Sequence, residues 1–281
     1  QRIDAFFSGC VVGIDLMRLL PSVALPRSAL FAAVAVTVLA MPGTVGAQIS
    51  STGTVSDPVG PGNTNIANTL KIGNSINTGS ILVENNSLLE AGTNVSQGQH
   101  SLSVRNGALN IQTGGDVTAI SSISVNGTGT ITVDGSGSTL SSQNAAIFVG
   151  GSSTGVLNVQ NSASVTSGQF SIGSNSSPAT GDGTVNLSGS GSTIDAVIVN
   201  VGESGFGRLN ISDNAVLTST RSNTFGENSG NNAILNIQSG GKFIHTGTGS
   251  TRIGQQGASA TITVDGAGSQ LIINDLINMG I

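Results

Sequence analysis

The stretch Thr130–Val165 reads TITVDGSGSTL, then SSQNAAIFVGG, then SSTGVLNVQNSASV, and the rest of the chain repeats this unit with variations. Its alternating run has a central apolar position that recurs at intervals of 22 to 28 residues. A recurrence of roughly 25 residues indicates stacked coils, because one such unit cannot bury its apolar face without neighbours. The recurring positions are Val83, Ile111, Val133, Val159, Leu187, Ile211, Ile237 and Val264.

Each unit contains three short pieces of β type. The first alternates strictly, as in Ile131-Thr132-Val133, so its branched residues share one face and the polar residue points away. The second follows a polar turn and ends on one apolar residue that we expect to be buried. The third is a short apolar run closed by glycine, which suits a corner where the backbone enters positive φ. The expected buried residues of the second piece are Leu140, Val165, Ile194, Leu217, Phe243 and Leu271.

The segment 17–47 has the organisation of a secretory signal peptide. Two arginines supply a basic start, and Ala29–Met41 is an uncharged apolar run of 13 residues. A membrane-spanning helix needs roughly 20 such residues. We therefore expect this segment to be removed on export rather than retained as an anchor, with cleavage between Ala47 and Gln48.

The other boundaries follow from where the repeat pattern starts and stops. Residues 1–16 share nothing with the later pattern, and we interpret them as upstream or cloning-derived sequence. The segment 48–80 has weak strand signals among Gly, Asn and Pro, which predicts an N-terminal cap or lead-in. Residues 81–281 are predicted to form the repeat region, which stops inside a repeat and is therefore expected to be C-terminally incomplete.

Charge and cysteine content restrict the partners of the exported part. From Gln48 onward, six basic side chains face twelve acidic ones, a formal net charge of −6. This balance disfavours nucleic acid and anionic membranes. The only cysteine, Cys10, precedes the signal, so disulfides and cysteine-based metal sites are not expected after export. Low charge with much Gly, Ser and Asn also describes disordered linkers, but the periodic apolar residues favour a folded chain.

Two patterns alternate from about Ser103 to the end of the chain. They are T-[IV]-x-[VL]-x-G-x-G-S-x-[LI] and L-N-[VI]-x-x-x-[AG]-x-[VLF], with units closed by IGS, VGG or VGE. This repeat resembles the one shared by type V secretion (autotransporter) passengers and some PEP-CTERM surface proteins. The resemblance implies an all-β fold, a right-handed parallel β-helix (solenoid) of about 7–8 coils, exported and displayed at the outer surface.

The same resemblance implies two partners, the export machinery and an outer-membrane β-barrel. Autotransporters end in a translocating barrel with girdles of aromatic residues. This chain contains neither Trp nor Tyr. The barrel is therefore absent from this chain, so that either the sequence is a fragment, which we favour, or the gene is truncated.

One motif resembles a catalytic site. The turn DGSGS at 134–138 is similar to the serine-nucleophile motif of secreted proteases, but the same frame recurs with Ala267 in place of Ser136. A repeated scaffold turn explains every copy. The only histidines, His100 and His245, are about five coils apart, too far to share a centre. The acidic residues are scattered, unlike those of β-helix glycosidases or lyases. We therefore predict no catalytic, cofactor-binding or metal-binding residues.

A polar ladder is predicted along the first strands. The residue between the two inward positions is asparagine in five of the seven best units, although asparagine is depleted in strands. If the coils stack in register, these side chains lie about 4.8 Å apart, where amides can hydrogen-bond along the stack. The predicted ladder consists of Asn110, Thr132, Asn158, Asn186, Asn210, Asn236 and Thr263.

Three functional classes remain open from the sequence. The first is a surface-displayed or secreted adhesion or aggregation module without catalysis, whose partner would be a host surface, a glycan or another copy of the chain. The second is a structural stalk that presents a distal domain. The third is a glycan-active β-helix enzyme, which requires acids that converge only in the fold. The export signal, the Ser/Thr/Asn surface and the missing catalytic set favour the first class.

Overall fold

The chain divides into two compact units, Gln1–Thr44 and Val45–Ile281. The computed structural model describes residues 2–7, 10–15, 48–53, 55, 64–66, 69–74, 76–92, 100–173 and 181–280. In the first unit, β1 (Arg2–Phe7) and β2 (Cys10–Asp15) form an antiparallel pair within the segment interpreted as upstream sequence. The predicted signal peptide, residues 17–47, lies outside the described residues.

The described part of the second unit contains strands β3 to β27, one 3₁₀ turn at Gln255–Gly257 and no α-helix. The strands of its first half are β3 (Gln48–Gly53), β4 (Thr64–Ile66), β5 (Leu70–Ile72), β6 (Gly79–Glu84), β7 (Leu88–Ala91), β8 (His100–Arg105), β9 (Ala108–Gln112), β10 (Asp116–Ala119), β11 (Ser122–Asn126), β12 (Gly129–Asp134), β13 (Thr139–Ser141) and β14 (Ala146–Val149). Those of its second half are β15 (Thr154–Gln160), β16 (Ser164–Ile172), β17 (Asp182–Ser188), β18 (Thr193–Val201), β19 (Phe206–Ile211), β20 (Val216–Ser219), β21 (Asn223–Phe225), β22 (Asn232–Gln238), β23 (Lys242–His245), β24 (Ser250–Ile253), β25 (Ser259–Asp265), β26 (Gln270–Ile273) and β27 (Leu276–Met279).

These strands stack into long ribbons. Sheet 1 has nine strands in the order β3-β6-β9-β12-β15-β17-β19-β22-β25. A second sheet consists of two strips: strip 2 runs from β4 through β7, β10 and β13 to β26, and strip 3 from β5 through β8, β11 and β14 to β27. The strips join because β16 and β18, nine residues each, pass through the corner between them. The chain is therefore a parallel β-solenoid of about 8 turns, as the repeat predicted.

The register of sheet 1 follows the sequence repeat. The eight recurring apolar positions form seven successive pairs, from Val83 opposite Ile111 to Ile237 opposite Val264. Ile237 is 0% exposed, whereas Val264, on the last strand, is 45% exposed because β25 has a neighbour on one side only. Full burial of a branched side chain contributes about 1.5–3 kcal/mol, so stability comes from stacking one coil on another.

Residues before position 81 also pair with the stack. Strand β3 pairs antiparallel with β6, while β4 and β5 pair parallel with β7 and β8. The segment 48–80 thus adds a strand to sheet 1 and to both strips. Ile49, Leu70 and Ile72 are buried at its contact with the following coil. Because β4 and β5 are three residues long, they carry too little alternation to give more than a weak strand signal in the sequence.

Glycine is required where strip 3 turns into sheet 1. Gly150 and Gly173 adopt φ of 72° and 73°. A Cβ atom at Gly150 would collide with the backbone of Asp182 in the following coil, and one at Gly173 with the carbonyl oxygen of Phe206. The close approach of successive coils therefore excludes side chains at this corner.

Candidate functional site

The most regular surface feature is a row of asparagine amides on the outer face of sheet 1. Asn158, Asn186, Asn210 and Asn236 lie on successive strands and pair in register. The Nδ2 of Asn186 donates to Oδ1 of Asn158 over 2.9 Å, that of Asn210 to Asn186 over 2.8 Å, and that of Asn236 to Asn210 over 2.9 Å. In this row, the amide ladder, Asn186, Asn210 and Asn236 each donate to the preceding coil, while Asn158 only accepts.

The other predicted members continue the column without these bonds. Asn110, Thr132 and Asn158 pair in register, as do Asn236 and Thr263. No side-chain hydrogen bond of Asn110, Thr132 or Thr263 is present among the described residues. Each of these pairs includes a threonine, so the hydrogen bonds of the column are confined to positions where asparagine lies opposite asparagine.

Side chains also connect the coils on strip 2. The hydroxyl of Thr166 donates to that of Ser141 over 3.0 Å, and the hydroxyl of Thr193 to that of Ser164 over 3.1 Å. On the turn beside sheet 1, Asn161 Nδ2 donates to the Asp134 carboxylate over 2.7 Å. The outer faces therefore carry columns of polar groups held in fixed positions by the coil above or below. Such columns repeat one pattern of donors and acceptors along the solenoid.

The two serines of the protease-like turn have different environments. Ser136 is exposed at the tip of the turn, while Ser138 is fully buried. The hydroxyl of Ser138 donates to the carbonyl of Asp134 over 2.6 Å and accepts from the amide of Gly114, in the preceding coil, over 3.1 Å. The equivalent hydroxyls of Ser192 and Ser269 each accept an amide of the preceding coil over 3.0 Å.

This serine is a structural connection that the sequence interpretation missed. The sequence did contain a sign of this role. The last residue of the GxGS turn is serine in all three copies (Ser138, Ser192 and Ser269), whereas the residue at x is serine in two copies and alanine in the third.

The two histidines lie on different strands, β8 and β23. His100, on β8, is edge-to-face with Phe148 at 5.8 Å between ring centroids, and burial lowers its pKa. His245, on β23, is fully buried, with Nδ1 3.1 Å from the hydroxyl of Ser219. Its Nε2 has no hydrogen-bond partner among the described residues. His245 thus faces the core rather than the solvent, and it is an internal polar residue of the last coils.

Two carboxylates come together at the corner after strip 3. Glu203 accepts a hydrogen bond from the amide of Asn200 over 3.1 Å. Burial raises the pKa of Glu203, and the neighbouring carboxylate of Glu227, one coil further along, raises it again. Within the described part of the chain, no group of three His, Cys, Asp or Glu side chains is arranged to hold a metal ion.

Comparison with known proteins adds no relative. No family model matches the chain, and the searches of curated proteins and of solved structures give no match. No helix in the described residues is long and apolar enough to cross a membrane. The class that the fold defines, a parallel β-solenoid with polar columns on its outer faces, therefore rests on the geometry itself.

Proposed function

We propose that this chain is the passenger domain of an autotransporter-like exported protein and acts as an adhesion or aggregation module without catalysis. The observation that carries the proposal is the repetition of polar columns along the outer faces, with the amide ladder as the most regular example. Repeated groups offer many equivalent weak contacts. Their combined avidity exceeds that of any single contact when several engage together.

Export is supported by the organisation of the N-terminal sequence. Residues 17–47 have the basic start, apolar run and small-residue end of a signal peptide. Strand β3, the first of the solenoid, begins at Gln48, the residue after the expected cleavage site. Cleavage there would release the solenoid with its first strand intact.

A bead assay tests the adhesive role. Inert microspheres coated with the purified chain should aggregate with one another, or attach to a surface coated with host cells or polysaccharide, more than albumin-coated microspheres. Microspheres that carry the chain after unfolding in urea are the matched control, because they present the same composition without the columns. Equal behaviour of the folded and unfolded coatings would reject the proposal.

A structural stalk is the second candidate, and the continuity of the stack favours it. Sheet 1 joins nine strands without a break. Eight spacings of about 4.8 Å give a rod roughly 38 Å long, stiffened by hydrogen bonds between all neighbouring strands. If the chain is a stalk, microspheres coated with it should neither aggregate nor attach more than albumin-coated ones. The result therefore separates the two candidates.

A further inference from the structure

A groove lies on the outside of strip 2, where β16 and β18 turn into strip 3. Its first part has a volume of about 380 Å³, at the lower end of the range for small-molecule sites. The lining side chains that the argument uses are Ser141, Gln143, Asn144, Thr166, Asp195 and Thr218. They supply hydroxyls, two amides and one carboxylate.

The carboxylate of Asp195 is the central polar group of this groove. In the sheet register, Asp195 lies between Thr166 and Thr218, one on each neighbouring strand. Asp195 is exposed, and no hydrogen-bond partner of its side chain is present in the described part of the chain. The hydroxyl of Thr166, in the same groove, donates to Ser141 and can still accept a hydrogen bond. The Asp195 carboxylate therefore remains available to a ligand, beside hydroxyls of the same groove that can still accept.

The groove continues over the corner into a second depression of about 410 Å³. The two parts share Asn144 and Val197. Ala145, Ala146 and Ile198 give the second part a small, aliphatic lining. Gly168 allows the coils to approach closely at this corner, because a Cβ atom there would collide with the carbonyl of Asn144. A polar half thus adjoins an aliphatic half.

We propose that this groove binds a neutral oligosaccharide, which deepens the adhesive role proposed above and rests on it. Two adjacent hydroxyls of one sugar donate to the two oxygens of the Asp195 carboxylate, while the flanking Thr166 and Thr218 hydroxyls contact its other groups. Hydrogen bonds to a charged acceptor are about twice as strong as neutral ones. The next sugar lays the C–H face of its ring on Ala145, Ala146 and Ile198.

Charge selects the class of sugar. The carboxylate of Asp195 and the net negative charge of the exported part repel uronic and sialic acids. The lining contains no aromatic ring for stacking. A single groove should therefore bind weakly, with a dissociation constant of about 1 mM, and useful adhesion depends on many chains acting together.

Titration of the ¹⁵N-labelled chain by NMR tests the site. The probes are mannotetraose, cellotetraose and chitotetraose, with tetragalacturonate as the acidic probe. At least one neutral probe should shift the amide signals of Thr166, Gly168 and Asp195. Absence of these shifts with all three neutral probes, or equal binding of the acidic probe, overturns the proposal.

Substitutions provide the matched test. Asp195→Asn should weaken binding of the neutral probe about tenfold, because it removes the charge that strengthens two hydrogen bonds. Asp213→Asn, the same change at an exposed turn on another face, should leave the affinity unchanged. Thr218→Val, which removes a flanking hydroxyl and favours a strand, gives a second variant if the first fails to fold. Unaltered affinity in both groove variants would reject the site.

The two proposals fail in different ways. Sugar binding in solution together with inert microspheres would reject the adhesive role and keep the groove. Adhesive microspheres without sugar-induced shifts would reject the groove and keep the adhesive role.

Discussion

The direction of hydrogen bonding in the amide ladder predicts that one substitution has unequal effects at two similar positions. Asn210 both donates to Asn186 and accepts from Asn236. Asn158 accepts from Asn186, and its own donor has no partner among the described residues. Asparagine to aspartate exchanges the donor for a second acceptor at almost constant volume. Asn210→Asp therefore breaks one bond, and Asn158→Asp breaks none.

The magnitude follows from that difference. Loss of one hydrogen bond costs about 1 kcal/mol net, and the introduced carboxylate also faces the Oδ1 of Asn186, which was its acceptor at 2.8 Å. The site is half-buried, so solvent screens part of this repulsion. We expect Asn210→Asp to lower the free energy of unfolding by roughly 1–2.5 kcal/mol. Asn158→Asp should change it by less than about 0.5 kcal/mol, because a carboxylate accepts from Asn186 at least as well as an amide does.

Urea unfolding of the three proteins, followed by circular dichroism at neutral pH, measures this difference. Repeating the titration near pH 3, below the ordinary pKa of aspartate, protonates the introduced carboxyl and restores a donor toward Asn186. The extra destabilisation by Asn210→Asp should shrink there relative to the unsubstituted protein. Equal loss of stability from both substitutions at neutral pH, or greater loss from Asn158→Asp, would refute the ladder as the cause.

Three further predictions concern the turns, the corner carboxylates and export. Ser138→Ala should lower the free energy of unfolding by about 1–3 kcal/mol, because it removes two buried hydrogen bonds. Ser136→Ala should change it by no more than about 0.5 kcal/mol. Equal effects of the two substitutions in urea titrations would contradict the structural role of Ser138. Burial and Glu227 raise the pKa of Glu203, so the ionised carboxylate lowers the stability of the folded protein. The free energy of unfolding should therefore rise as the pH falls from above the raised pKa to the pKa of the unfolded chain. Glu203→Gln should therefore stabilise the protein at neutral pH and reduce the gain on acidification; unfolding midpoints measured across that window check this, and an unchanged pH profile would argue against it. N-terminal sequencing of exported material should begin at Gln48, and an N-terminus that retains the apolar run would exclude cleavage there.

The sequence was sufficient to predict the repeating part of the fold. Alternation fixes which side chains point inward, and the recurrence of Val133, Val159 and Leu187 fixes which residues lie opposite one another, since parallel stacking allows one register that buries them all. The row of asparagines was visible for the same reason. Each of these features is a property of one coil copied to its neighbours.

Features that arise between coils were harder to predict. Ser138 looks like a polar turn residue, but its partners are backbone atoms, one of them in the preceding coil, which no side-chain pattern reveals. The groove at the corner depends on Gly168 meeting the backbone of Asn144, two residues from different coils with no shared motif. The alternation of His245 with Phe243, by contrast, already places both side chains on the inward face of β23.

The pairing of every coil with its immediate neighbours has a consequence for how the gene can change in length. Asp182 lies opposite Thr154 in one direction and Phe206 in the other. Recombination that excises the 24 residues from 182 to 205 would bring Phe206 opposite Thr154, with Leu209 against Leu157 and Asn210 against Asn158. Residues of the same type would then lie opposite one another, and the shortened protein would keep its apolar side chains inward and its polar side chains outward. Unequal crossing-over between repeats can therefore lengthen or shorten the molecule in steps of about 4.8 Å without inventing a new fold.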